Sequence, residues 1–192
     1  MNDYLGELYA AFDHLYRDIG STCAKCKDHD CEGYGWWLAE EAEMLYNHDI
    51  PIVEINDGLY FIHSFHEVDG QVMVDIPKPP CSWRKNGKCT IYPIRPLVCR
   101  MYPVGLANHG SQLTLVLHQD CQFSRELSGG AKTSFFKTVI SALQSVPKET
   151  IEAIAESYLK IDGISAFPDG QNTYEIIATV GEILEKGDAC HV

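Results

Sequence analysis

The sequence lacks any apolar run long enough to cross a membrane, since no stretch approaches the about 20 apolar residues that a spanning helix needs. Its first twenty residues, MNDYLGELYAAFDHLYRDIG, also lack the basic start and apolar run of a signal peptide. These two absences predict a soluble, cytoplasmic protein with no membrane partner.

Positive charge is scarce in this chain. There are 15 Lys and Arg residues against 27 Asp and Glu residues, which gives a net charge of −12. Binding to nucleic acid needs a basic surface, so we expect no nucleic-acid partner. The stretch from Lys78 to Arg100 is the exception, because it holds basic residues and no acidic one.

Cysteine, by contrast, is abundant. The chain has eight cysteines, and in a reducing compartment such a number points to metal binding or redox chemistry rather than to disulfides. A disulfide framework remains the alternative if the chain is exported. Seven of the cysteines fall in one part of the chain, and we assign no role to the eighth, Cys190; the seven are Cys23, Cys26, Cys31, Cys81, Cys89, Cys99 and Cys121.

The spacing of apolar residues predicts an α+β fold. Residues 3–19 have helical spacing, and WWLAEEAEMLYNHDI predicts a second helix. In that helix we expect the apolar side chains, Tyr46 among them, to face inward and the acidic ones, Glu41 among them, to form a solvated face. The runs IVEIN, LYFIHSF and QVMVDI, separated by Asp-Gly pairs, predict a small antiparallel sheet.

The remaining segments complete this prediction. LTLVLH (113–118) is a further strand candidate, and SFFKTVISALQSV, KETIEAIAESYLK and NTYEIIATVGEILEKG predict three amphipathic helices. We therefore predict a mostly helical single domain, 1–192, with a small antiparallel sheet and an irregular, cysteine-rich metal-binding core. Residues 1–128 would form the cysteine-cluster part, and residues 129–192 a helical part packed on it.

The cysteines form two groups with metal-ligand character. Cys23 and Cys26 make a C-x2-C knuckle, a spacing that zinc sites and iron–sulfur sites share, and Cys31 follows five residues later. The second group contains Cys81, Cys89 and Cys99, with Cys121 after it. We predict that the two groups come together around one metal centre.

The segment CTIYPIRPLVCRMYP, residues 89–103, contains three prolines, and we expect metal ligation to order its backbone. Arg95 and Arg100 lie beside the sulfurs and could offset thiolate charge. The alternative is that both arginines cap nearby carbonyl groups or pair with surface acids.

CAKCKDHDC followed by C-x7-CTIYPIRPLVCRMYP resembles the YkgJ-type cysteine-cluster family, which is described as zinc- or iron-chelating. The resemblance runs from about Cys23 to Cys121. It implies that the six cysteines from Cys23 to Cys99 belong to a metal site. It also implies that Tyr92, Arg95, Pro96, Arg100 and Pro103 support that site.

The chain departs from this family at its first motif. The family has adjacent cysteines there, whereas this chain reads Lys27-Asp28-His29-Asp30-Cys31, so His29 could take the place of the absent thiol. A similar domain occurs in flagellin lysine methylase, which implies an iron–sulfur cluster in a methyl-transferring enzyme. No glycine-rich nucleotide loop follows a strand here, however, to support a methyl-donor site.

Three functional classes follow from these residues. The first is a protein that holds an iron–sulfur cluster, [4Fe–4S] by preference, or zinc for redox chemistry, sensing or metal handling. The second is a structural zinc domain that presents its helical part to a protein partner. The third is an enzyme, either methyl-transferring or using Cys121 activated by His118. We expect His63 and His66 to be structural.

Overall fold

The computed structural model describes residues 3–16, 36–48, 50, 52–55, 58–61, 65–68, 71–74, 81–86, 88–109, 112–162 and 174–187. Within these ranges, no helix is both long enough and apolar enough to cross a membrane. The fold is α+β, with helices of different lengths interspersed among antiparallel strands.

The described part of the chain contains seven α-helices and two short 3-10 helices. The α-helices are α1 (Asp3–Leu15), α2 (Ala42–Asn47), α3 (Leu97–Met101), α4 (Gln122–Glu126), α5 (Gly129–Gln144), α6 (Lys148–Asp162) and α7 (Val180–Gly187), and the 3-10 helices are Ala39–Glu41 and Tyr92–Ile94. The strands are β1 (Trp36–Trp37), β2 (Ile52–Ile55), β3 (Gly58–Phe61), β4 (Phe65–Val68), β5 (Gln71–Val74), β6 (Arg84–Lys85), β7 (Lys88–Cys89), β8 (Val104–His109), β9 (Gln112–His118) and β10 (Tyr174–Thr179).

One sheet has the strand order β10-β9-β8, with every pair antiparallel. Its central strand β9 confirms the prediction for LTLVLH. The consecutive residues Leu115, Val116 and Leu117 are all buried. Because neighbouring side chains of a strand point to opposite faces, both faces of β9 are covered.

The other strands form three smaller sheets. One has the order β1-β3-β2, and β4–β5 and β6–β7 are separate two-stranded hairpins. Antiparallel pairing is therefore confirmed. Of the run LYFIHSF, Leu59–Phe61 belong to β3 and Phe65 belongs to β4, and these two strands lie in different sheets.

The larger apolar core packs α1 against α5 and the β8–β10 sheet. Helix α1 places Leu5, Leu8 and Phe12 on one face, and all three are fully buried together with Val139 of α5. The same core includes residues of α3, α6 and α7. Each such side chain contributes on the order of 1.5–3 kcal/mol when it is fully buried.

A smaller apolar core lies between β1, α2 and the β6–β7 hairpin. Its buried members are Trp37, Leu45, Ile50 and Ile91. Partly buried apolar side chains pack against it, among them Met44, Ile52, Trp83, Cys89 and Ile94.

The predicted second helix is wrong at its start. Trp36 and Trp37 are strand residues that pair with Tyr60 and Leu59 of β3, and helical structure begins only at Ala39. Two side chains also have the opposite exposure from the one predicted. Tyr46 is 75% exposed, and Glu41 is only 1% exposed.

The last predicted helix is also wrong over its first half. Residues Tyr174–Thr179 form β10, which pairs with β9 from Tyr174↔His118 to Thr179↔Thr114. Only the second half is helical, as α7. The two preceding predictions are confirmed as α5 and α6, with Pro147 between them.

Candidate metal centre

The prolines of the segment 89–103 lie at the boundaries of its short helices. Pro93 lies in the first turn of the 3-10 helix Tyr92–Ile94, and Pro96 is the N-cap of α3. The first turn of a helix tolerates proline because its N–H groups have no partner within the helix. The carbonyl oxygen of Pro96 accepts hydrogen bonds from the N–H groups of Cys99 and Arg100, each at 3.0 Å. Pro103 follows a cis peptide bond.

Arg95 and Arg100 are both bound to one carboxylate of α1. The Nη2 of Arg95 lies 2.9 Å from Oδ1 of Asp13, and the Nη1 of Arg100 lies 2.5 Å from Oδ2. Arg100 also donates to the carbonyl oxygens of Arg95 and Pro93, at 3.0 and 2.7 Å. Both guanidinium groups are therefore engaged in pairing with an acid or capping carbonyl groups, which is the alternative that the sequence left open for them.

Two tyrosines stack on these arginines. The Arg95 guanidinium carbon lies 3.8 Å from the centroid of the Tyr92 ring, and that of Arg100 lies 4.1 Å from the centroid of Tyr9. Such cation–π contacts contribute about 0.5–2 kcal/mol each, depending on how far they are removed from water. Tyr92, Arg95 and Arg100 thus pack around the turn that carries Cys99, and their support of a metal site stays a prediction.

Glu41 is the buried acid of this region. Its Oε1 accepts hydrogen bonds from the Tyr9 hydroxyl and, at 2.8 Å, from the N–H of Leu97, and its Oε2 accepts one from the N–H of Leu38 at 2.8 Å. Burial raises the pKa of Glu41, whereas the three hydrogen bonds act to lower it. Burial and the Glu41 carboxylate raise the pKa of Tyr9, which therefore stays protonated and can donate.

The β6–β7 hairpin brings two of the predicted ligands together. Arg84 pairs with Cys89, and the N–H of Arg84 donates to the Cys81 carbonyl oxygen at 3.0 Å. Burial raises the pKa of the Cys81 thiol, and the nearby Cys89 raises it further. Backbone hydrogen bonds from Trp83 and Arg84, together with the Arg84 charge, act to lower that pKa, so they favour the thiolate.

Arg84 is therefore a functional candidate that the sequence reasoning missed. We expected Arg95 or Arg100 to offset thiolate charge, but both are bound to Asp13. The arginine whose charge acts on the Cys81 thiol is Arg84, from the hairpin itself. A basic residue three positions after a cysteine is the sequence signal that could have indicated it.

The other two described cysteines differ in exposure. Cys99 is exposed on α3, close enough to Tyr9 for its charge to influence the pKa of that phenol. Cys121 is 7% exposed and is the N-cap of α4. Among the residues that the structure describes, no group of three or more Cys, His, Asp or Glu side chains could hold a metal ion.

Several predicted residues lie outside the described ranges. They are Cys23, Cys26, His29, Cys31, His63 and Cys190. His66 lies in β4, opposite Met73 of β5.

His118 lies at the end of β9 and packs against the chain that leaves α3. Its ring stacks on that of Tyr102, with centroids 5.8 Å apart and planes 26° apart. A Cβ atom at Gly105 would lie 2.5 Å from Nε2 of His118, so the histidine ring needs glycine at this position. The hydroxyl of Tyr102 donates to Asp120 at 3.3 Å.

Comparison with known proteins identifies no relative. No family model, no curated protein and no solved structure matches this chain.

Proposed function

We propose that this protein holds a metal centre through its cysteine thiolates, by preference an iron–sulfur cluster and otherwise zinc, and uses it in redox chemistry, sensing or metal handling. The ligands come from Cys23, Cys26 and Cys31 in the first group and from Cys81, Cys89 and Cys99 in the second. Cys121 and His29 are further candidates. The resemblance to the YkgJ-type family supports the same assignment.

The observation that carries the proposal is the β6–β7 hairpin. It holds Cys81 and Cys89 close enough for one thiol to act on the pKa of the other. Burial raises the pKa of Cys81, while backbone hydrogen bonds from Trp83 and Arg84 and the Arg84 charge act to lower it. Thiolates are the form in which cysteine binds metals, and hydrogen bonds to sulfur tune iron–sulfur centres. Two thiols are too few for a closed site, since zinc takes four ligands and a cluster usually takes four cysteines.

The contacts of the described residues support the first group as the source of the other ligands. The described range before that group ends at Tyr16. The hydroxyl of Tyr16 donates to the carbonyl oxygen of Met101 at 2.5 Å. The chain after it begins with β1, and Trp37 of this strand shares the smaller core with Cys89. Both flanks of the first group therefore adjoin elements that carry cysteines of the second.

The burial of Cys121 favours this function over a cysteine-based enzyme. A nucleophilic thiol must be reached by its substrate, whereas Cys121 is 7% exposed. A buried sulfur at the N-cap of a helix suits a structural role or that of a ligand.

Metal analysis of protein purified without oxygen or chelator tests the proposal. We expect iron with acid-labile sulfide and broad absorption near ~400 nm for the cluster, or zinc without colour for the alternative. Cys81→Ser and Cys89→Ser should each lose most of the bound metal, while the matched control Ser82→Ala should keep it. Wild-type protein that is folded and metal-free, or full loading in both cysteine variants, would overturn the proposal.

A further inference from the structure

One carboxylate connects three separate elements of this protein. Glu41, at the end of a 3-10 helix, accepts hydrogen bonds from Tyr9 of α1, from the N–H of Leu38 directly after β1, and from the N–H of Leu97 at the start of α3. At 1% exposure, this carboxylate is almost completely removed from water. Burying it is unfavourable unless its hydrogen bonds are all made, so its place here requires an explanation.

The three elements adjoin or carry the cysteine groups along the chain. Helix α1 precedes the first group in the chain, β1 follows it, and α3 carries Cys99 of the second group. A second carboxylate also ties α1 to the region of α3. Asp13 of α1 holds Arg95 and Arg100, which flank the first residues of α3.

The hydrogen bond from Leu38 is the local capping interaction of the 3-10 helix that contains Glu41, because Leu38 is the N-cap of that helix. The hydrogen bond from Leu97 is long-range and ties this helix to the start of α3. An apolar side chain of similar volume would leave all three donors without this acceptor, at a cost of about 1–3 kcal/mol for each buried donor. Directional hydrogen bonds set the relative position of the two elements more narrowly than packing does.

We propose that Glu41 is a positioning residue of the cysteine centre: its carboxylate holds the chain that follows the first cysteine group against the turn that carries Cys99. This inference rests on the proposed function. Glu41 binds no metal in it; the residue fixes Leu38, seven positions after Cys31, relative to Leu97, two positions before Cys99, before a metal arrives. Preorganised ligands bind more tightly because less conformational freedom is lost on binding.

Competition for metal against a chelator of known affinity tests the proposal. The probe is Zn²⁺ alone, added to metal-free, reduced full-length protein well below its unfolding temperature. We expect Glu41→Gln to weaken zinc affinity about tenfold or more, because one amide cannot accept from all three donors in the same geometry. The matched control is Glu40→Gln, since Glu40 is the exposed neighbour in the same 3-10 helix. It should keep the wild-type affinity.

A second variant and a second readout separate positioning from general stability. Tyr9→Phe removes one donor and leaves both backbone hydrogen bonds, so we expect a smaller loss of affinity than in Glu41→Gln. With Co²⁺ in place of zinc, the visible absorption bands should shift in Glu41→Gln but not in Glu40→Gln, because the bands report ligand geometry. A protein that is only less stable would show the wild-type bands. If Glu41→Gln does not fold, Tyr9→Phe should still lower the zinc affinity and shift the Co²⁺ bands, and wild-type affinity and bands in Tyr9→Phe would overturn the positioning role.

The outcomes distinguish this inference from the proposed function. If the wild-type protein binds no zinc or cobalt, both are overturned. If the wild-type protein binds metal and a folded Glu41→Gln variant matches its affinity and spectrum, the positioning role alone is overturned. If affinity falls and the bands shift together, Glu41 has the proposed role.

Discussion

The two apolar cores of this protein differ in size and in their relation to cysteine. Among the residues whose burial the structure describes, the larger core contains 19 buried residues, none of them cysteine, whereas the smaller core contains four and packs against Cys89. Metal-binding energy becomes folding energy at the elements that carry the ligands. We therefore expect removal of the metal to destabilise the core beside Cys89 more than the larger core.

The largest expected effect comes from damage to the larger core. Phe12→Ala should lower the free energy of unfolding by about 3–5 kcal/mol, because Phe12 is fully buried. Urea unfolding should show the same loss with and without chelator. Leu45→Ala, in the smaller core, should instead lower metal loading. A chelator-dependent loss in Phe12→Ala would contradict the separation of the two cores.

Gly105→Ala tests the junction between the β8–β10 sheet and the turn after α3. The added Cβ would lie 2.5 Å from Nε2 of His118, so we expect a loss of about 1–3 kcal/mol in urea unfolding. Gly130→Ala is the matched control, because no atom lies within 4 Å of its added Cβ. That substitution in α5 should be neutral or stabilising by up to about 1 kcal/mol. Equal stabilities of the two variants would contradict the close packing of His118.

Asp13→Asn removes the shared partner of two buried arginines. The side chains of Arg95 and Arg100 are 8% and 6% exposed, whereas that of Asp13 is 46% exposed. Solvent screening at Asp13 reduces the cost, so we expect a loss of about 1–2 kcal/mol in urea unfolding. Glu7→Gln, an exposed position of the same helix, should cost less than about 0.5 kcal/mol. The comparison fails if both variants unfold at the same urea concentration.

The smallest expected effect is a pH dependence in the smaller region. Burial raises the pKa of the Cys81 thiol, so the folded, metal-free protein favours the protonated form. The protonated thiol contributes fully to the stability of the folded, metal-free protein at pH values below the ordinary thiol pKa. This contribution is lost as the pH rises through the raised pKa of Cys81. At pH 7 a metal must displace that proton, so Cys81 alone should raise the metal affinity by up to about tenfold per pH unit, in addition to the contribution of every other thiol that loses a proton.

Chelator competition at pH 6, 7 and 8 measures this slope. Cys81→Ser should show a shallower slope, by about one proton. Equal slopes in the wild-type protein and Cys81→Ser would show that Cys81 releases no proton when the metal binds.

The sequence predicted those elements whose pattern is decided locally. Helices α1, α5 and α6 have apolar residues at helical spacing over many turns, and β9 has a run of strand-forming residues. The segment Tyr174–Thr179 also fits a helix, and only its pairing with β9 makes it a strand. Trp36 and Trp37 form a strand for the same reason, because they pair with β3.

The site was predicted less completely, and Glu41 shows why. In the sequence, Glu40, Glu41 and Glu43 cannot be told apart from the acidic residues of a solvated helix face. Glu41, however, accepts a hydrogen bond from the N–H of Leu97, 56 residues further along the chain. Asp13 likewise acts on arginines more than 80 residues away. Such contacts depend on tertiary packing, which cannot be deduced from the spacing of residues along the chain. The cysteines, Tyr92, Arg95 and Arg100 could be proposed from the sequence because their types are rare and clustered, and their role at a metal site stays a prediction.

The three tryptophans of the chain are Trp36, Trp37 and Trp83, and all belong to β1 or the β6–β7 hairpin. Trp37 and Trp83 pack in or against the smaller core, alongside Cys89. Emission excited at wavelengths that only tryptophan absorbs therefore reports on this region and not on the larger core. An iron–sulfur cluster absorbs at the wavelengths that tryptophan emits and would quench this light, whereas zinc would leave it bright. A simple fluorescence spectrum during loading would thus follow the smaller region alone and separate the two metals.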